Sequence, residues 1–175
     1  MRRALAATTL AAIAAVAFAT PAHAADLLTD RIDVADCAAT VRVHESAATY
    51  TPSIITALGI ISAASGVTFT EAAADEPADI TYVAADLAAY AYASADGSVP
   101  LGIYTAGTVV LADPVGTTGR FRSWITLHET GHALGLPHSD DFQDVMYPFF
   151  FRQPTRVLGA SDELAAIGRA NGCRA

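Results

Sequence analysis

Residues 128–138 read His-Glu-Thr-Gly-His-Ala-Leu-Gly-Leu-Pro-His. No other stretch constrains the fold as tightly. Histidines four apart on a helix lie one turn apart on the same face, so His128 and His132 can converge on a single point. Gly135 accepts a left-handed conformation without steric cost, and Pro137 prevents the helix from continuing. The chain must therefore stop, turn, and bring His138 back toward the first two rings. The helix is expected from about Arg120 to Leu134, with Phe121, Ile125, His128 and His132 on one stripe.

Three neutral imidazoles suit a zinc ion, which takes nitrogen ligands at about 2.0–2.1 Å in a tetrahedron and keeps one place open in catalytic sites. His128, His132 and His138 are therefore the candidate metal ligands, with one catalytic zinc ion as the cofactor. Glu129 follows the first ligand directly. It projects beside the metal, where it can act as general base toward an activated water and then as acid toward a leaving amine. Gly135 supports the geometry by permitting the turn. His44 sits on a strand with no partner histidine in view and is read as structural.

The rest of the chain is read around that helix. Arg2 and Arg3, an apolar run from Ala4 to Ala19, and Pro21-Ala22-His23-Ala24 have the form of an export signal, residues 1–24, cleaved after Ala24. The alternative is an anchor, but the run is short of the about 20 residues a span needs. Residues 25–175 form one domain, expected to divide into an upper part at about 37–138 and a lower part at about 139–175. No other segment is expected to be long and apolar enough to cross a membrane. The net charge of −8, with no lysine anywhere, argues against nucleic acid or anionic lipid as a partner. A secreted, extracellular monomer is expected.

Val41-Arg42-Val43-His44, Val67–Thr70, Ile80–Val83 and Thr108–Leu111 read as strands, with Val99–Tyr104 as a further edge strand and Asp96-Gly97 as a turn. Pro52 starts a helix that Gly66 ends, and a last helix runs from about Ser161 to Ala170. Strands interleaved with helices and a helical tail give an α/β or α+β layered fold. Cys37 and Cys173 are the only cysteines. In an oxidising compartment they most simply pair as a disulfide; free thiols, or Cys37 as a metal ligand, are the alternatives.

At His128–His138 and Met146 the sequence resembles the metzincin clan of zinc metallopeptidases, whose signature is H-E-x-x-H-x-x-G-x-x-H followed by a methionine turn. Ser139 after the third histidine and Val145-Met146-Tyr147-Pro148 bring it closest to the matrixin branch. The resemblance implies a zincin-like fold: a twisted, mixed, mostly parallel sheet over an active-site helix, then a methionine turn and a small C-terminal helical subdomain. It implies a secreted endopeptidase acting on protein or peptide substrates. Met146 would form a hydrophobic base beneath the histidines. Tyr147 and Pro148 would wall a substrate pocket, with Phe149, Phe150 and Phe151 beside it.

Matrixins carry a histidine- and aspartate-rich loop for structural metals in the region of residues 84–115. This chain has no histidine there, so a second zinc is not expected. Asp86, Asp96 and Asp113 leave Ca2+ binding possible in principle. Matrixins also carry an inhibitory propeptide, and the stretch between the expected cleavage after Ala24 and Cys37 is expected to be too short for one. Two other readings stay open: an aminopeptidase or amidase using the same activated water, and a zinc-containing binding protein without catalysis.

Overall fold

The computed structural model describes residues 27–87, 102–112, 119–148 and 162–173. Five strands form one sheet: β1 (Ala38–Val43), β2 (Thr68–Glu71), β3 (Ile80–Ala85), β4 (Gly102–Thr105) and β5 (Thr108–Ala112). Their spatial order is β2-β1-β3-β5-β4. The pairs β1–β2, β1–β3 and β3–β5 are parallel, and only β4 runs antiparallel, against β5. The expected mixed α/β fold with a mostly parallel sheet is what the chain adopts.

Helix α1 (Thr51–Ser65) begins with Pro52 in its first turn, where a missing N–H costs nothing. It ends at Gly66, whose φ of 75° is the left-handed cap. Helix α2 (Gly119–Ala133) is the expected histidine-bearing helix, and α3 (Asp162–Asn171) is the last. Ile54, Ala57 and Ile61 of α1, Ile125 and Leu127 of α2, and Leu164 and Ile167 of α3 are buried in one core with Tyr82, Val109 and Leu111 from the sheet. At Gly168 the two helices α1 and α3 come so close that a side chain would strike the Ser65 carbonyl.

Two expectations need correction. A turn of 3₁₀ helix, Glu45–Tyr50, runs directly into α1, and the stretch Glu45–Ser65 is long and apolar enough to cross a membrane by length and composition. The expectation that no such segment exists after the signal fails on those criteria, although Ala47, Tyr50, Ile54 and Ile61 of this stretch are fully buried in the core. His44 is not on a strand. β1 ends at Val43, and His44 caps the 3₁₀ turn, its Nδ1 accepting from the Ser46 amide at 3.2 Å. The role is structural, as expected, but it is a cap.

Of the expected edge strand, Gly102–Tyr104 fall in β4, while Val99–Leu101 lie outside the described residues. The hairpin joining β4 to β5 turns at Ala106 and Gly107, both at positive φ (44° and 80°). Two such residues in succession match the right-handed twist of the strands they connect. The expected signal region, Asp96, Gly97, Asp113 and Phe149–Phe151 also lie outside the described residues.

The first described residues strap the lower end of α2. Leu28 donates to the Gly135 carbonyl at 2.6 Å and Ile32 to that of Ala133 at 2.9 Å. Tyr104 on β4 donates to the Asp30 carbonyl at 2.9 Å, and Arg31 donates to Asn171 on α3 at 3.0 Å. Cys37 and Cys173 form a disulfide that ties the start of β1 to the residue just past α3.

Candidate active site

Near its C-terminal end α2 places His128 and His132 one turn apart, with ring centroids 4.7 Å from each other. Gly135, at φ 97°, turns the chain as its position implied. His138 returns to within 5.3 Å of His128 and 4.7 Å of His132, centroid to centroid. One nitrogen from each ring lies within 4.8 Å of the others. This is the one cluster of potential ligands among the described residues, and Asp86 is not part of it.

Main-chain carbonyls set the orientation of two of the rings. His128 Nδ1–H donates to the Val145 carbonyl and His132 Nδ1–H to that of Leu136, each at 2.7 Å. A ring whose Nδ1 carries the proton has its lone pair on Nε2. The two Nε2 atoms lie 3.1 Å apart. With both Nδ1 atoms already protonated, this approach is two lone pairs facing each other, not a hydrogen bond. Such a contact is repulsive unless a cation lies between them. Two ligands of a tetrahedral zinc stand roughly 3.3 Å apart, by the geometry of bonds near 2.0–2.1 Å. The spacing and the tautomers therefore fit zinc.

Protonation favours the same state. Burial pushes the pKa of His132 below its usual value, although the Leu136 hydrogen bond opposes the shift. Burial also lowers the pKa of His138. A lowered pKa keeps imidazole neutral, which is its ligand form. Trp124, one turn before His128, stacks on that ring at 5.0 Å and an interplanar angle of 28°.

Glu129 is buried beside His128 (6% exposed), and burial raises its carboxyl pKa to about 8. Its side chain lies against Gly102 on β4. Met146 is fully buried, its sulfur against Gly131, the residue just before His132. The methionine turn closes on itself: the Met146 amide donates to Asp144 Oδ1 at 2.6 Å, and its carbonyl accepts from Ser139 at 3.0 Å. Tyr147 is half-buried and Pro148 exposed, both directly after that turn.

Sequence reasoning missed Gly102, Trp124, Asp144 and the carbonyls of Val145 and Leu136. Trp124 carried a usable signal, four residues before His128. Carbonyl groups carry none, because every residue has one.

A buried glutamate beside a convergent three-histidine cluster, closed by the turn at Met146, is an arrangement that could hold a metal ion. Residues 113–169 match the family model described as Matrixin, a family of zinc metallopeptidases. The matrixin-like metzincin resemblance read from the sequence is borne out on that segment. A solved structure titled as that of myroilysin is similar to the chain, with a TM-score of 0.41 and 18% identity. The likeness covers 58% of this chain and 48% of that one, so the chain spans about half the length of that structure. No curated protein matches the sequence.

Proposed function

We propose that the chain is a secreted zinc-dependent endopeptidase, with His128, His132 and His138 as metal ligands and Glu129 as general base and acid. One observation carries the reading: two Nε2 lone pairs held 3.1 Å apart by carbonyl-locked rings, with a third histidine turned toward them. Zinc, when bound, supplies Lewis acidity that makes water a competent nucleophile near neutral pH and polarises a carbonyl.

The protein's own groups do the rest. Glu129 accepts the proton of the attacking water and passes it to the leaving amine. Its buried setting favours the protonated form, so it can hold that proton between the two steps. Substrate lies along the edge strand β4, main chain to main chain, and β4 has β5 on only one side in the sheet order. Residues up to about 138 form the upper wall of the cleft and residues from 139 the lower one. Met146 supports the metal-binding turn from beneath, and Tyr147 and Pro148 line the pocket after the scissile bond. The Cys37–Cys173 disulfide is consistent with an oxidising, extracellular setting.

The test uses Glu129→Gln, which keeps size and burial but cannot take a proton. The variant should bind one zinc per chain and lose at least about 1,000-fold in turnover, within the range for removal of a general base. Products from a protein substrate should be internal fragments from the outset. Full activity in Glu129→Gln contradicts the role of Glu129, and release of single terminal residues points instead to an aminopeptidase.

A further inference from the structure

Gly102 opens β4, and its backbone lies over the side chain of Glu129. A Cβ built on Gly102 would run into Glu129 Cγ and stand 2.8 Å from both Cδ and Oε1. Carbon atoms pack at about 3.5–4.0 Å, so the space is taken by the carboxylate side chain itself. The backbone does not explain the glycine. Among the described residues the positive-φ glycines are Gly66, Gly107, Gly135 and Gly172, and Gly102 is not one of them. Glycine inside a strand also gives up packing and entropy, and it often marks a close approach. Here the close approach is to Glu129.

We propose that Gly102 is the positioning residue of the general base: the bare backbone of β4 is the seat that fixes where the Glu129 carboxylate points. The proposal rests on the reading of Glu129 as base. The collision would include Cγ, near the root of the side chain, so the flexible tip alone cannot relieve it. The glutamate would have to turn about its first torsion, which swings the whole carboxylate. A shift of the helix is resisted, because His128 is tied to the Val145 carbonyl and the Ala133 carbonyl at the end of α2 accepts from Ile32. A misplacement of about 1 Å in a catalytic group costs on the order of 100-fold in rate.

The decisive experiment compares Gly102→Ala, Glu129→Ala and the double variant. Each is measured for zinc content, for kcat and KM on an internally quenched peptide, and for melting temperature in the metal-free state. Gly102→Ala should keep one zinc per chain, lose about 100-fold in kcat and change KM by less than about threefold. It should melt several degrees lower in the Glu129 background. In the Glu129→Ala background that penalty should vanish, because the atoms a Cβ would strike are gone. If Gly102→Ala alone fails to fold while the double variant folds, the contact is confirmed. Wild-type kcat in Gly102→Ala, or an equal melting loss in both backgrounds, overturns the proposal. If the wild-type chain shows no chelator-sensitive cleavage, the peptidase reading fails separately, and the metal-free melting cycle alone decides whether the seat exists.

Discussion

The sulfur of Met146 lies 2.6 Å from the point that a methyl group on Gly131 would occupy. The relationship explains a glycine inside α2, where alanine is otherwise favoured by about 1 kcal/mol. The gap between the two histidine-bearing turns is the socket for the methionine turn. Gly131→Ala should therefore destabilise the protein by about 1–3 kcal/mol, because overpacking outweighs the gain in helix propensity. Chemical denaturation of the metal-free protein measures it, and a neutral or stabilising result would show that Met146 can move aside.

Asp144 closes the same turn by accepting the Met146 amide at 2.6 Å, and it is 6% exposed. Removing the acceptor leaves a buried amide without its charged partner. Asp144→Ala should cost about 1–3 kcal/mol. It should also weaken zinc binding, since the Val145 carbonyl that orients His128 belongs to this turn. Zinc affinity by competition with a fluorescent chelator reads the second effect. Unchanged affinity would mean that the Val145 carbonyl keeps its place without Asp144.

How far the sequence could be read follows from where each interaction resides. The periodic stripe and the glycine stop placed α2, because side-chain pattern and backbone permission are written residue by residue. Gly135 is at φ 97° for the reason its position suggested. Gly102 was unreadable, because its partner Glu129 lies 27 positions away and only the folded sheet brings them together. His44 was mistaken for a strand residue because its neighbours are β-branched, whereas the local bond to Ser46 wins. The hairpin turn at Ala106-Gly107 was overlooked because alanine at positive φ is uncommon.

The titration of the site sets a pH dependence in the metal-free protein. Burial raises the Glu129 pKa from 4.5 to about 8, so between those values the folded state holds more protons than the unfolded one. Stability then falls as pH rises, at up to about 1.4 kcal/mol per pH unit. His132 and His138 act in the opposite sense. Their folded pKa values lie below 6.5, so stability falls as pH drops below that value. From pH 6.5 to 8 the Glu129 effect stands unopposed by them. Urea denaturation in chelator should show stability declining across that window in the wild type and nearly flat in Glu129→Gln. Equal slopes in the two proteins would assign the effect elsewhere.

The disulfide links Cys37, just before β1, to Cys173, just after α3, across 136 residues. Constraining so long a loop in the unfolded state is worth up to about 5 kcal/mol in the chain-entropy model. That is comparable to the whole stability of a marginal domain. The site depends on this tether indirectly. Arg31, six residues before Cys37, bonds to Asn171 on α3, and the neighbouring Leu28 and Ile32 bond to the carbonyls of Gly135 and Ala133 at the end of α2. Loosening the termini should therefore loosen the turn that carries His138. The double variant Cys37→Ser, Cys173→Ser should melt at least about 10 °C lower. It should also bind zinc more weakly at temperatures where it is still folded. A melting loss with undiminished zinc affinity would separate the two effects and show that the strap holds the His138 turn without help from the disulfide.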